Sequence, residues 1–468
     1  ILALKGQGRN LQMTALITSA ASLVAGGIGA FLHLEHWERI FNGFGHLTSG
    51  ITQELIAIVV LAIVMVVYFV YLRRADDEAR VPAWLSAIGI VVAAVVTVAG
   101  LALWGMQLSG GLVQTGMRNF DSWGLYITLF MFLVGLSAGG LIISSVPRAF
   151  GMKGFGGISK VAVWTSICCT VLAIAFVVVD LGHPARLWEL FAYSNLGSPL
   201  MWDIIVLGTY LVLSIVYLWA TLRFEGGKGS ERSLRVISVV ALVCAILVHS
   251  VTAWIFGLQQ SHEMWYTALL APWFVSSALV CGTSLVLVVV IALRRAGYLE
   301  LDQANIVKLA KMLGAFVLVD LYFFACDLLT AGFPNASGAE VVAMLTAGPL
   351  APFFWTEIVG CALCAVVCFV PRLRTSPFIV VASLLAIVGI FCKRVQLLVG
   401  GFQIPNIDMA GPLTPYTVTG WESGMAGAYQ GMVYFPTPLE FGVALGVMGL
   451  GALLLLAGLK FLPLKPAK

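Results

Sequence analysis

The residues best suited to proton chemistry stand together in one segment, Asp180-Leu181-Gly182-His183-Pro184-Ala185-Arg186. Asp180 and His183 are three residues apart, so on a helix end they would share a face, where a carboxylate and an imidazole accept or donate protons. Arg186 continues that face and would keep Asp180 ionised or position the pair. Pro184 would end the helix. The alternative is a helix C-terminus closed by a structural ion pair.

Four further ionisable residues, Asp320, Asp327, Lys393 and Arg394, lie inside long apolar runs. A charge in hydrocarbon costs several kcal/mol, so such groups usually face a protein interior. Lys393 and Arg394 would pair with Asp327, Glu357 or Glu440 and line a polar cavity near the outer face. A structural salt-bridge network is the alternative.

Carboxylates also recur where apolar helices enter the membrane from outside, at Glu54, Asp203, Glu357 and Glu440. They would provide polar lining or a proton exit. The simpler alternative is compensation of the helix dipole, because anions are favoured at helix N-termini.

These residues must be positioned by membrane helices, because the chain is 60% hydrophobic and only 10% charged. Apolar stretches of about 20 residues, the length that crosses a bilayer, recur about twelve times. The sequence therefore predicts an all-α, polytopic integral membrane bundle. The predicted spans run over 11–32, 51–72, 84–106, 123–146, 161–181, 199–222, 236–255, 269–293, 307–330, 352–371, 377–399 and 439–462.

The basic residues support this topology, with both termini in the cytoplasm. Arg39, Arg118 and Arg186 alone fall on the outer side, and Lys393 and Arg394 fall inside a span, so the rest of the 26 basic residues are on the inner side. This bias follows the positive-inside rule. The 401–437 segment, rich in Pro, Gly and aromatic residues, becomes an outer loop that would cover the cavity or dock a partner.

Two segments resemble each other and indicate an internal repeat. Leu34, His36 and Arg39 match Leu181, His183 and Arg186 at a constant offset, and both lie on the outer side. Sequence and topology together predict parallel duplication of a helical unit.

Three ordered motifs make the chain resemble the NrfD/PsrC family of polysulfide reductase-type membrane subunits. They are Trp123–Ile127 with Gly135–Gly140 on one helix, Asp180–Trp188 after the next, and Gly197–Asp203 at the start of the third. The resemblance assigns residues 120–468 to an NrfD/PsrC-like core. Residues 1–115 look more like a DmsC-type three-helix extension or an additional repeat unit.

The resemblance implies a quinone-reactive subunit of a respiratory oxidoreductase, in a bacterial or archaeal cytoplasmic membrane. Menaquinone or ubiquinone would be the substrate, with no haem or metal in this chain. The implied partners are a ferredoxin-like 4Fe-4S subunit and, beyond it, a molybdopterin, hydrogenase or multihaem cytochrome subunit. Asp180 and His183 would carry quinone protons, and Tyr126, Ser137 and Arg186 would help to bind the ring. Nucleic acid is not expected as a partner.

Two other functions compete with this one. An intrinsic haem needs facing histidines inside the membrane, but only His249 lies well inside a span. A proton- or ion-coupled secondary transporter would use the buried acids and Lys393-Arg394 as ligands near the midplane. Asp320, placed more centrally, would begin a path towards the cytoplasm in a protein that also moves protons.

Overall fold

Helices make up almost the whole of the part of the chain that the structure describes. This computed structural model describes residues 83–118, 121–151, 156–295, 299, 301–333, 338–403 and 434–462, and no strand occurs in these ranges. Ten of their helices are long and apolar enough to cross a membrane. The predicted all-α, polytopic membrane fold is therefore confirmed. Glu54, the first two predicted spans, the 34–54 repeat segment and most of the 401–437 loop lie outside the described residues.

The helices match the predicted spans to within a few residues. In chain order they are α1 (Ala83–Gly110), α2 (Leu125–Ala149), α3 (Gly156–Asp180), α4 (Glu189–Ala192), α5 (Pro199–Glu225), α6 (Glu231–Gly257), α7 (Leu270–Arg295), α8 (Gln303–Ala331), α9 (Ala339–Thr346), α10 (Ala351–Phe369), α11 (Ser376–Gln403) and α12 (Pro438–Phe461). By the charge pattern, α2, α5, α7, α10 and α12 begin on the outer side.

Local sequence explains several helix ends. Pro199 occupies the first turn of α5, where its missing N–H costs nothing. Gly227 follows that helix with a φ of 72°, a backbone conformation that glycine adopts without strain. Thr437 and Glu440 form a reciprocal capping box at the start of α12. These ends are fixed locally, independently of helix packing.

The long helices form two four-membered rings. In the first, bundle one, α2, α3, α5 and α6 each pack against two ring neighbours; in the second, bundle two, α7, α8, α10 and α11 do the same. Each ring has one short helix between its second and third members, α4 in bundle one and α9 in bundle two. The chain therefore repeats one five-element order twice in parallel. The internal repeat thus has a structural counterpart within residues 125–403, in a different place from the sequence match.

Glycine contacts join the two rings and attach a further helix pair. α2 crosses α7 at Gly139 and Gly282, where a Cβ on either residue would collide with the facing backbone. α1 and α12 cross in the same way at Gly100 and Gly446, and α12 also packs on α3. Small residues permit such close approach between membrane helices.

Candidate functional site

A buried polar group forms where the outer ends of α1, α2 and α3 meet. The Tyr126 hydroxyl donates a 2.7 Å hydrogen bond to Gln107 Oε1, and Gln107 Nε2 donates to the Val179 carbonyl at 3.0 Å. Asp180 is the last residue of α3, and its Oδ1 is buried without a hydrogen-bond partner in the described structure. Asp180 and Glu440 both act electrostatically on Tyr126. We call Gln107, Tyr126 and Asp180 the outer site.

Glu440 closes one side of the outer site, and its own interactions are structural. Its Oε2 accepts hydrogen bonds from the backbone N–H groups of Gly116 at 2.7 Å and Thr437 at 2.8 Å. Its Oε1 accepts from the Tyr434 hydroxyl, which in turn accepts from Leu125 N–H at 2.8 Å. Burial and the adjacent carboxylate raise the pKa of Tyr434. Glu440 therefore ties α12 to the segment between α1 and α2 and, through Tyr434, to α2 itself. Of the three acids expected as possible partners of Lys393 and Arg394, Glu440 is not the one that pairs with them.

Two expectations about the Asp180 segment were wrong. α3 ends at Asp180, and His183 is an exposed residue with φ −132° and ψ 72°, off the helical face. The physical reason is Pro184, because a residue before proline is disfavoured in the helical region. Arg186 is exposed and pairs with Glu189 at 2.8 Å instead of with Asp180.

Ser137 lies apart from the outer site, although both are on α2. Eleven residues separate it from Tyr126, which is about 16 Å along a helix. Its hydroxyl instead contacts Thr170 at 2.7 Å and Tyr210 at 3.0 Å in the core of bundle one. The structure therefore does not bring Ser137 together with Asp180 and Tyr126, contrary to the expectation from the sequence.

A second polar group is buried in bundle two and is built from charges. Lys393 Nζ lies 2.6 Å from Asp320 Oδ2 and 3.4 Å from Glu357 Oε1, and all three side chains are almost fully buried. Gln396 donates to Glu357 at 2.9 Å. Asp327, nearer the outer end of α8, is electrostatically coupled to Lys393. The sequence grouped these charges correctly but did not give Asp320 as the partner of Lys393.

Arg394 connects the two bundles. Its Nη2 lies 3.1 Å from His249 Nε2 on α6 and donates to Ser277 on α7 at 2.6 Å, and the guanidinium stacks 3.9 Å from the centre of the Phe274 ring. Nε and Nη1 have no hydrogen-bond partner in the described structure. From the sequence, His249 enters only the argument against a haem, and the residues around His249 do not indicate its contact with Arg394.

Asp203 is buried in bundle one, near the start of α5. It accepts a 2.6 Å hydrogen bond from the Thr252 hydroxyl on α6. Like Glu357, it lies beyond the first residues of its helix and inside a ring. Dipole compensation alone therefore does not account for either residue.

A cavity of about 500 Å³ reaches the charges of bundle two. It extends from loop residues Gln260 and Ser261, which the charge pattern places on the outer side, down to Glu357 and Lys393. Trp273, Phe274 and Phe324 supply apolar walls; Asp327, Arg394 and Gln396 complete the polar lining. A polar cavity lined by Lys393 and Arg394 thus exists as expected; it lies in bundle two, apart from the outer site.

These features define a polytopic helical membrane protein with two parallel four-helix bundles and buried polar sites towards one face. The family model described as "Polysulphide reductase, NrfD" matches residues 113–406, and the chain belongs to this family. That range includes both bundles.

Three relatives illustrate the likeness. The chain is 35% identical to a putative dimethyl sulfoxide reductase membrane subunit of Halobacterium salinarum, over 84% of this chain and 96% of that protein. It is 26% identical to the Hdr-like menaquinol oxidoreductase integral membrane subunit of Archaeoglobus fulgidus, over 81% and 93%. It is 23% identical to the integral membrane subunit of menaquinone reductase of Nitratidesulfovibrio vulgaris, over 78% and 89%. This chain is thus related to membrane subunits of reductase complexes along most of its length.

Proposed function

We propose that this chain is the quinone-reactive membrane subunit of a respiratory oxidoreductase complex in a bacterial or archaeal cytoplasmic membrane. It exchanges electrons between membrane quinone, menaquinone or ubiquinone, and a docked 4Fe-4S subunit near the outer face. A molybdopterin, hydrogenase or multihaem subunit lies beyond that partner. Membership of the NrfD family and the names of the relatives support this proposal.

The buried Asp180 oxygen without a hydrogen-bond partner, in the same polar group as the Tyr126 hydroxyl, is the observation that carries the site assignment. A buried polar atom without a partner is costly, so a ligand that completes its hydrogen bonding is favoured there. A quinone oxygen next to Asp180 can exchange a proton with that carboxylate. Tyr126 donates to the quinone when its hydroxyl turns from Gln107, which positions it.

Access to this site is available from both the membrane and the outer water. Gln107 lies on α1, whose other faces include the exposed Val98, Leu101 and Met106 in the described structure. These residues give α1 an apolar face along which a quinone moving in the lipid approaches Gln107. His183 is exposed three residues beyond Asp180, so it exchanges protons between the site and the outer solution.

Replacing Asp180 tests the assignment directly. We expect Asp180→Asn to lower quinol-linked turnover on the order of 100-fold, the usual contribution of a positioned proton-transfer group. The measurement is quinol oxidation by the complex purified from native membranes. Asp302→Asn, at an exposed acid on the inner side, is the matched control. Asp180 has no role in the mechanism if its variant assembles and turns over at the control rate.

The bundle-two cavity favours a second function, an ion-coupled transporter. Its buried Lys393–Asp320 pair and open path to the outer side resemble a site for a coupling ion and a polar solute. Gentle detergent purification and mass spectrometry of the accompanying chains separate the two functions. An iron–sulfur subunit with a further redox partner supports the electron-transfer function; a chain that purifies alone, without one, supports transport.

A further inference from the structure

Bundle one contains a layer of hydroxyl groups shared by three helices. Ser137 on α2 lies 2.9 Å from Ser166 Oγ and 2.7 Å from Thr170 Oγ1, both on α3. The Tyr210 hydroxyl on α5 lies 2.8 Å from Ser166 and 3.0 Å from Ser137. All four side chains are buried. We call this group the upper layer.

A lower layer repeats the same chemistry nearer the inner side. Ser144 Oγ on α2 lies 2.7 Å from Ser159 Oγ on α3. Tyr217 on α5 has its hydroxyl 3.4 Å from Ser144 Oγ, and it donates to the Ser144 carbonyl at 3.1 Å. These three side chains are also buried. Each helix thus contributes the same kind of group twice.

The two layers lie above one another because the spacing is seven residues on every helix. Ser137 and Ser144, Ser166 and Ser159, and Tyr210 and Tyr217 are the three pairs. Seven residues are about two helical turns, so both members of a pair face the same way, about 10 Å apart. That gap exceeds a hydrogen bond, so a continuous path requires water between the layers.

On α5, further polar residues continue the two layers towards both faces of the membrane; we call the layers and these residues together the hydroxyl line. It contains Asp203, seven residues before Tyr210, then Ser214 and Thr221, and it ends at Glu225. From Asp203 to Glu225 the helix rises about 33 Å, close to the thickness of a bilayer core. The Thr221 hydroxyl is buried without a hydrogen-bond partner in the described structure, which is the environment that an internal water completes.

The inner end of the line is charged and reaches the surface. Glu225 is partly exposed and pairs with Lys160 at 2.7 Å and Arg148 at 3.6 Å. Arg148 Nε also donates to Ser159 Oγ of the lower layer at 3.3 Å. Arg148 therefore links the lower layer to Glu225, the carboxylate that can exchange protons with the inner solution.

The upper layer lies about 16 Å below the proposed quinone site along α2, a second gap that water must bridge. Tyr126 precedes Ser137 by eleven residues on α2, about three turns, so both lie on the same side of that helix. Asp180 ends α3, ten residues after Thr170. Hydroxyl layers also hold membrane helices together by hydrogen bonds, but packing does not require the line to extend from one face to the other.

We propose that bundle one conducts protons along this hydroxyl line between the inner face and the outer site, through intervening waters. This inference rests on the proposed function. When a quinol is oxidised, its two electrons pass to the docked partner and its two protons leave by the line towards the inner side. Quinone reduction reverses both flows, so the chemistry at the outer site is linked to protons of the opposite side.

Liposomes that contain the whole complex test the proposal. Menaquinol is supplied in the bilayer and ferricyanide, which does not cross it, is added outside, so only complexes with the outer face outwards turn over. Each quinol reduces two ferricyanide ions and releases two protons. A lumenal pH-sensitive dye reports those released at the inner face, with valinomycin and potassium to dissipate the potential. We expect lumenal acidification in the wild type.

Tyrosine variants identify the path. Tyr210→Phe or Tyr217→Phe removes one hydroxyl, and we expect lumenal acidification to slow by about tenfold or more. Tyr322→Phe, at an exposed tyrosine of α8, should match the wild type. Ser137→Ala, which removes an upper-layer hydroxyl from another helix, is measured as well, so the test does not depend on the folding of one variant.

The outcomes separate this inference from the function on which it rests. If ferricyanide is reduced but the protons appear only outside, the hydroxyl line does not conduct them, and the proposed function still stands. Equal rates of lumenal acidification in the wild type and the variants also contradict conduction along the hydroxyl line and leave the proposed function standing. Absence of any quinol-linked reduction by the wild-type complex overturns both.

Discussion

Lys393 is the residue on which the polar core of bundle two depends, because it faces two buried carboxylates, Asp320 and Glu357. Removing one partner of a buried ion pair leaves an uncompensated charge, which costs about 3–5 kcal/mol. Its ammonium group also lies 4.3 Å from the centre of the Trp273 ring. The role of this residue in holding the bundle together can therefore be measured apart from any role in turnover.

We expect Lys393→Met to lower the thermal unfolding temperature of the detergent-solubilised chain markedly. Adding Asp320→Asn to that variant should restore part of the loss, since it removes one of the two orphaned charges. Lys308→Met, at an exposed lysine on α8, should unfold like the wild type. Unchanged unfolding of Lys393→Met would mean that water or ions already screen these carboxylates.

Only some residues of the outer site could be identified from the sequence. The sequence singles out Asp180 because an acid at the end of an apolar run is unusual, and Tyr126 because of the family resemblance. It did not select Gln107 or Tyr434, since amides and phenols near helix ends are common and their partners lie on other helices. Glu440 binds the Gly116 N–H, 324 positions away. Only packing brings such groups together.

At the scale of the element, the α2–α7 crossing determines how the two bundles meet. A Cβ at Gly139 would overlap the Ala278 carbonyl, and one at Gly282 would overlap Gly139 itself. Backbone atoms cannot move aside as a flexible side chain can. His249 and Arg394, which link the bundles, lie on the neighbouring α6 and α11, so a shift at this crossing would disturb their contact.

We expect Gly139→Ala to destabilise the chain by about 1–3 kcal/mol, the usual cost of overpacking. The same change at Gly208 on α5 has open space around it and should be neutral or slightly stabilising. Thermal unfolding of both variants in one detergent is the measurement. If the two variants unfold alike, the helices are free to separate at this crossing at little cost.

Helix positions were predictable, because a bilayer of fixed thickness requires apolar runs of fixed length. Each predicted span from 84 onwards has its helix. The predicted face of His183 was wrong. The spacing of Asp180 and His183 fits a helix, but Pro184 disfavours the helical conformation at the residue before it, and His183 leaves the helix there.

At the scale of the whole molecule, the repeated five-element order gives both bundles the same direction across the membrane. The sequence could not show it, since equivalent helices share order and neighbours without an obvious common motif. Its charge pattern nevertheless predicts which side each loop occupies, and that assignment underlies both proposals.

Cysteine labelling in intact cells tests the orientation. We expect Tyr193→Cys, at an exposed position after α4, to react with an impermeant maleimide from outside. Lys228→Cys, in the loop between α5 and α6, should react only after the membrane is opened. The background should be low, because eight of the nine native cysteines are buried and Cys326 is partly so. The reverse pattern of labelling would invert the topology.

The α1–α12 pair has a consequence for how the protein is made. The ribosome completes α1 long before α12, yet Gly100 packs on Gly446, and Glu440 with Tyr434 fastens the backbone around Gly116 and Leu125. During synthesis, Gln107 and Tyr126 are therefore in the membrane before α12, whose contacts support their helices. The outer site is thus complete only after α12 has left the translocon. A nascent polypeptide that stalls or is truncated before α12 lacks the contacts that support the proposed quinone site.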